Sequence, residues 1–150
     1  MIYADTNFLT QFYLESPDTS EAERLLSKYH PVLPITWLLK LELINAFEQC
    51  VFSGYGEKQT RISPGLAAAC QQHVRDDLRA GVAMRLVEIS SVALSYQFEE
   101  LSLRHTAKHG FRTYDLLHVA AALVLKCKTF WSYDKRASKL AKLEGLKTLV

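Results

Sequence analysis

Three aspartates stand at positions from which their carboxylates could act together on one cation. Asp5 ends the short apolar stretch 2–4, and Asp134 follows closely on the stretch 129–132. Asp115 lies in the first turn of a predicted helix. Each has a simpler explanation, because aspartates also cap helices and are stabilised by the helix N-terminal dipole. Which explanation applies depends on where the predicted strands and helices place these carboxylates.

A fourth carboxylate, that of Glu42, lies within a predicted helix. One helical turn away are Leu38 and Ala46, so we expect the carboxylate to be partly buried. A buried charge is costly unless it has a partner. The alternative is an exposed polar stripe formed by Glu42, Asn45 and Gln49, which share one side of the helix.

Short apolar stretches alternate with helical patterns along the whole chain. We predict strands at 2–4, 31–35, 85–89, 129–132 and 146–149. We predict helices at 7–14, 20–29, 37–52, 64–80, 91–108, 113–126 and 135–144, with a capping box opening the second at Ser20 and Thr113 capping the sixth. This alternation predicts one α/β domain over 1–150, a three-layer α/β/α arrangement around a mostly parallel sheet.

In a parallel sheet, ligands bind beyond the carboxyl ends of the strands, which is where Asp5 and Asp134 fall. Carboxylates gathered at such an edge repel each other unless a cation joins them. Their hard oxygen atoms favour Mg²⁺ or Mn²⁺. Such an ion lowers the pKa of bound water and so prepares a nucleophile for attack on a phosphodiester. The sequence has no P-loop, GxGxxG, HExxH or nucleophile elbow that would indicate other chemistry.

The composition is that of an ordinary soluble domain, with 49% hydrophobic and 23% charged residues and a net charge of +2. No apolar run is long enough to cross a membrane, and Met1 leads directly into the first predicted strand, so we expect a cytoplasmic protein without a signal peptide. Cys50, Cys70 and Cys127 have no zinc-site spacing and are expected to be reduced thiols.

Positive charge is concentrated in residues 101–150, which hold ten Lys or Arg and three acids. Lys135, Lys139 and Lys142 fall at helical spacing. The residues that could extend the same surface are Arg104, Lys108, Arg112 and Arg136. Such a surface could bind RNA phosphates without reading sequence. A merely solvated helix face remains the alternative.

Four motifs in this order resemble the PIN-domain ribonucleases, and among them the VapC-type toxins of toxin–antitoxin pairs. They are YADTNFL, WLLKLELINAF, FRTYDLLHVAAAL and WSYDKRASKLAKLEGLKTL. The resemblance covers essentially the whole chain, although the stretch 54–82 does not align with the group.

The resemblance implies a metal-dependent endoribonuclease that acts on RNA, with a cognate antitoxin as partner and a homodimer as its assembly. It implies an acidic pocket for Mg²⁺ or Mn²⁺ whose catalytic residues are Asp5, Glu42, Asp115 and Asp134 and whose metal ligands are Asp5, Asp115 and Asp134. By the same resemblance, Asn7 and Ser132 are auxiliary residues, and Arg112 contacts RNA or the antitoxin. Lys135, Arg136 and Lys139 are the further RNA-binding candidates.

Two other functions make different demands on the sequence. A non-catalytic PIN-like scaffold that binds RNA or protein is expected to have lost acids, whereas all four are present here. A phospho-acceptor receiver domain requires an acid pair after the first strand and an acceptor aspartate after the third. Asp5 is single and the third predicted strand leads into Ser90 and Ser91, which excludes that class.

Overall fold

The chain alternates strands and helices in the predicted order. The computed structural model describes residues 1–14, 19–55 and 59–149. The elements are β1 (Ile2–Ala4), α1 (Thr6–Tyr13), α2 (Thr19–Tyr29), β2 (Leu33–Ile35), α3 (Trp37–Ser53), α4 (Pro64–Ala80), β3 (Met84–Leu86), α5 (Ser91–His109), α6 (Thr113–Val124), β4 (Thr129–Trp131), α7 (Lys135–Leu143) and β5 (Lys147–Thr148).

All strand pairs in the described residues are parallel. β1 pairs with β4, β4 with β5, and β2 with β3. The backbone ladders form two groups, β1-β4-β5 and β2-β3, and β1 contacts β2 without a ladder between them in the described residues. The predicted parallel sheet is thus confirmed, but it is divided beside β1. Helix α1 packs against both α2 and α3, and α3 packs against α4. Helix α6 packs against both α5 and α7. With the sheet, these helices form the three-layer α/β/α arrangement.

The centre of the sheet is built from buried aromatic and small residues. Tyr3 of β1 stacks on Phe130 of β4 with ring centroids 5.8 Å apart. Along α6, Val119 and the alanines at 120–122 are buried, and such small side chains allow a helix to approach a sheet closely. This packing fixes the first turn of α6, which contains Asp115. The three cysteines are buried and unpaired. No helix in the described parts of the chain has the length and apolar character needed to span a bilayer.

Several predicted helix and strand ends were wrong by one to three residues. The N-cap of α6 is Arg112 rather than Thr113. The Asp115 carboxylate accepts the Arg112 backbone N–H, so the helix begins one residue earlier than predicted. Helix α2 already includes Thr19, so Ser20 is not its cap; residues 15–18 lie outside the described part. The third strand ends at Leu86, because the residues after it lead to Ser90, which caps α5.

Gly54 ends α3 in a backbone conformation that side chains rarely adopt, with φ of +80°. A Cβ placed there would lie 2.1 Å from the Gln59 carbonyl oxygen. Gly81 ends α4 at φ of +66°, but a Cβ there would meet nothing within 4 Å.

We therefore expect Gly54→Ala to lower the free energy of unfolding more than Gly81→Ala does. Gly81→Ala should cost about 1 kcal/mol through backbone strain alone, whereas Gly54→Ala adds a backbone clash. Urea unfolding of both variants measures the difference. Equal losses would show that the loop after Gly54 shifts to make room.

Candidate active site

A cleft of about 220 Å³ opens at the carboxyl ends of β1 and β4. Its lining residues are Asp5, Thr6, Asn7, Glu42, Arg112, Tyr114, Asp115, His118, Asp134 and Ala137. All four acids selected from the sequence are in this lining, although they come from four different places in the chain. The parallel pairing of β1 with β4 explains why Asp5 and Asp134 meet at one edge.

Asp5 is buried, with 4% of its surface exposed, and caps α1. Its Oδ1 accepts the Phe8 backbone N–H at 2.9 Å, and the Ser132 hydroxyl also hydrogen-bonds the carboxylate. Burial raises the pKa of Asp5 to about 6; the charge of Asp134 acts in the same direction, while His118 and the two hydrogen bonds act against it. Asp5 is therefore both a helix cap and a buried carboxylate that lacks sufficient positive charge nearby.

Asp134 begins α7 and is tied to Asp5 through Ser132. Its Oδ1 accepts the Arg136 N–H at 2.7 Å, and its own N–H donates to Ser132 Oγ at 2.9 Å. Asn7 holds the same loop, because its Oδ1 accepts the Tyr133 N–H at 3.2 Å. The auxiliary residues selected from the sequence thus lie beside the acids. The carbonyl oxygen of Asn7 already has a partner, so its NH₂ group is the part directed to other ligands.

Arg112 supplies a cation to two of the acids. Its Nη2 donates to Asp134 Oδ2 at 2.9 Å, while its Nε and backbone N–H donate to Asp115 Oδ2 at 3.4 and 3.0 Å. The hydrogen bond and the charge of Asp115 raise the pKa of Arg112. The guanidinium therefore bridges Asp115 and Asp134, although its side chain is 58% exposed and accessible to a ligand.

The sequence-based selection missed His118, the partner of Glu42. His118 Nε2 hydrogen-bonds Glu42 Oε2, and Nδ1 lies 3.0 Å from the Tyr3 hydroxyl. The partial burial expected for Glu42 is observed, with 25% of its side chain exposed. No histidine in the sequence has a metal-ligand spacing that would point to a site. A usable signal was the spacing Asp115-x-x-His118, which puts both side chains on one face of α6.

The donors in the cleft fit a hard divalent cation in chemical type, since they are carboxylate oxygens. Burial of Asp5 with a raised pKa also favours an added positive charge. Within the described residues, however, no three His, Cys, Asp or Glu side chains converge closely enough to form a metal-binding group. Two of the acids instead direct oxygen atoms at Arg112.

The basic residues selected on α7 lie next to the cleft. Lys135, Arg136 and Lys139 are all exposed, and the helix that carries them starts directly after Asp134. Arg104, which could have extended this surface, is instead paired with Glu144 at 2.9 Å.

The PIN domain family model matches residues 2–143. Comparison with curated proteins gives no match.

Solved structures similar to this chain include a toxin and a toxin–antitoxin complex. The chain resembles FitAcB from Neisseria gonorrhoeae, with a TM-score of 0.67 and 12% identity over 100% of this chain and 97% of that one. It resembles VapC20 of Mycobacterium tuberculosis, described as a sarcin-ricin loop cleaving toxin, with a TM-score of 0.65 and 17% identity over 93% and 94% of the two chains. It also resembles VapBC2 from Rickettsia felis, bound to a DNA fragment from its promoter, with a TM-score of 0.63 and 18% identity over 99% and 97%.

At these identities the structural likeness shows the fold alone. The family match spans nearly the whole chain and includes Asp5, Glu42, Asp115 and Asp134. With the three-layer fold and the acidic cleft at the edge of its sheet, the chain belongs to the PIN domain family.

Proposed function

We propose that this protein is a metal-dependent endoribonuclease and the toxin of a toxin–antitoxin pair. The observation that supports this proposal best is the meeting of Asp5, Glu42, Asp115 and Asp134 in one cleft of a PIN domain. Nuclease activity in this fold family is generally dependent on divalent metal ions. The reaction would be hydrolysis of an RNA phosphodiester by water.

In this proposal Asp5, Asp115 and Asp134 hold Mg²⁺ or Mn²⁺. When bound, the ion supplies a Lewis acid that acidifies water and offsets charge developing on the phosphate. Glu42 lines the cleft with one oxygen bound to His118, so its other oxygen is available to orient the attacking water. Arg112 would exchange its contacts with Asp115 and Asp134 for a phosphate oxygen of RNA.

RNA would approach along α7. Lys135, Arg136 and Lys139 are exposed there and would contact phosphates without reading bases, so binding should weaken as salt rises. Asn7 would help hold a water molecule beside Asp5, and Ser132 would keep Asp5 and Asp134 in register through its two hydrogen bonds.

The proposed partners rest on similar structures. FitAcB and VapBC2 give the likeness, and a further similar structure is a toxin–antitoxin complex from Klebsiella pneumoniae, with a TM-score of 0.59. By that likeness we propose a cognate antitoxin for this protein. The homodimer is proposed from the family resemblance, and the cytoplasmic location from the sequence.

A second candidate is a non-catalytic scaffold that binds RNA or protein. One observation favours it: Arg112 already neutralises Asp115 and Asp134, as expected if the acids only stabilise the fold. The two functions differ in whether removal of an acid changes RNA cleavage.

Purified protein should cleave total RNA with Mg²⁺ or Mn²⁺, and EDTA should abolish the cleavage. Asp5→Asn should lower the rate by at least about 100-fold, because it removes a charge that the metal site needs. Asp76→Asn is the matched control, since Asp76 is an exposed acid of α4 paired with Arg79. Equal cleavage by the Asp5 variant and wild type would remove the proposal, and no cleavage by the folded wild type with any metal would favour the scaffold.

Asp5→Asn should raise the stability of the protein, although it lowers RNA cleavage. The folded-state pKa of Asp5, about 6, exceeds its ordinary value of 3.8, so folding favours the protonated carboxyl. The resulting penalty is absent below about pH 4, grows between the two pKa values and is complete above about pH 6.

In EDTA, Asp5→Asn should therefore raise the free energy of unfolding at pH 7 by up to about 3 kcal/mol, and by little at pH 4. Urea unfolding across this pH range measures the effect. A variant less stable than wild type at pH 7 would show that the charged carboxylate supports the fold.

Arg112 and a divalent ion should compete for the same oxygen atoms. We expect Arg112→Gln to bind Mn²⁺ several-fold more tightly by calorimetry, about fivefold if the lost competition is worth roughly 1 kcal/mol. Arg136→Gln is the control, because it removes the same charge nearby without an Arg112-type contact to the acids. Weaker Mn²⁺ binding by the Arg112 variant alone would make Arg112 a support of the metal site and not a competitor.

A further inference from the structure

A buried chain of hydrogen bonds connects the core of the protein to the acidic cleft. It starts at Thr36, the N-cap of α3, whose Oγ1 accepts the Leu39 N–H at 3.2 Å. The Thr36 hydroxyl hydrogen-bonds Tyr3, and the Tyr3 hydroxyl lies 3.0 Å from His118 Nδ1. The last bond joins His118 Nε2 to Glu42.

We assign one consistent direction to the hydrogens of this chain of bonds. Burial and the charge of Asp5 raise the pKa of Tyr3, so its phenol remains protonated at neutral pH. The phenolic oxygen accepts from Thr36, which leaves the phenolic hydrogen for His118 Nδ1. In the neutral imidazole the ring hydrogen is then on Nε2, and it points to Glu42 Oε2.

This chain of hydrogen bonds begins and ends on the same helix, α3. Thr36 begins α3, and Glu42 lies on α3 less than two turns later. Tyr3 belongs to β1 and His118 to α6, so the four side chains fix three elements relative to each other. Thr36, Tyr3 and His118 are all buried, whereas Glu42 is partly exposed to the cleft.

We infer that His118 is a positioning residue that holds Glu42 by one carboxylate oxygen and leaves the other facing the acidic cleft. This inference rests on the proposed nuclease function and adds to it a residue that acts through Glu42. A glutamate side chain has three rotatable bonds, so an unbound carboxylate would occupy many orientations. His118 removes that freedom, and Tyr3 and Thr36 keep the imidazole itself in place.

His118→Leu should lower kcat for RNA cleavage about 10- to 100-fold with little change in KM, which is the usual effect of removing a residue that orients a site ligand. His118→Gln should recover part of the rate, because its side-chain amide retains a donor near the position of Nε2. His105→Leu is the matched control: His105 also hydrogen-bonds a carboxylate, that of Glu144 at 2.6 Å, but it lies on α5 and outside the cleft lining. It should lose stability without losing kcat.

A double-mutant cycle separates positioning from general structure. If His118 acts through Glu42, His118→Leu should have little effect on kcat in a Glu42→Ala background. If His118→Leu instead lowers kcat by the same factor with and without Glu42, His118 supports the fold in general and the inference is overturned. Nitrogen NMR of the wild type gives a readout independent of cleavage, with Nε2 protonated and Nδ1 unprotonated expected in the neutral ring; the opposite tautomer would also overturn the inference.

The two proposals fail in different ways. If Asp5→Asn cleaves as well as wild type, the nuclease proposal fails whatever His118 does. If Asp5→Asn is inactive and folded His118→Leu is fully active, the nuclease proposal stands and the positioning role is lost.

Discussion

Carboxylates can share one cleft only if donors and positive charges meet their oxygen atoms. This protein meets that requirement with its own side chains. Arg112 bridges Asp115 and Asp134, and His118 binds Glu42. Asp5 receives a backbone N–H and a hydroxyl, yet burial still raises its pKa to about 6. Asp115, Asp134 and Glu42 thus have partners, whereas Asp5 remains a buried carboxylate that an added cation would stabilise.

The groups that meet this requirement are positioned by the ordinary packing of the fold. Small residues on α6 let the helix lie close to the sheet, which fixes the first turn that carries Asp115. Asp5 and Asp134 are N-caps of α1 and α7, so the same oxygen atoms that start helices also line the cleft. The structural and functional explanations of these aspartates are therefore compatible: a capping aspartate at the carboxyl end of a central parallel strand is already where a ligand binds.

The sequence was sufficient for the order of elements and the parallel sheet, because hydrophobic periodicity is a local pattern. It also selected four acids that line one cleft, because two of them follow strands that end at the same edge of the sheet. It was not sufficient for the contacts between distant residues. The pairing of Glu42 with His118 depends on how α3 and α6 meet, and the inward turn of Arg112 depends on Asp134 being nearby. The division of the sheet beside β1 is likewise decided by tertiary contacts, whereas the cap at Arg112 depends on a local hydrogen bond to Asp115. Local patterns thus predict which side chains reach an edge, whereas packing decides which of them bind each other.

Charge also constrains the order in which ligands can enter this cleft. Four carboxylates face one guanidinium, so a phosphate approaching the empty cleft would meet a net negative field. Lys135, Arg136 and Lys139 lie outside the cleft on α7 and attract a polyanion to its rim without altering this balance inside. A divalent ion held by Asp5, Asp115 and Asp134 would reduce this negative charge and replace Arg112 as the partner of Asp115 and Asp134. In the proposed reaction a phosphate would therefore enter more readily once Asp5, Asp115 and Asp134 hold the ion, because Arg112 would then be left to contact that phosphate.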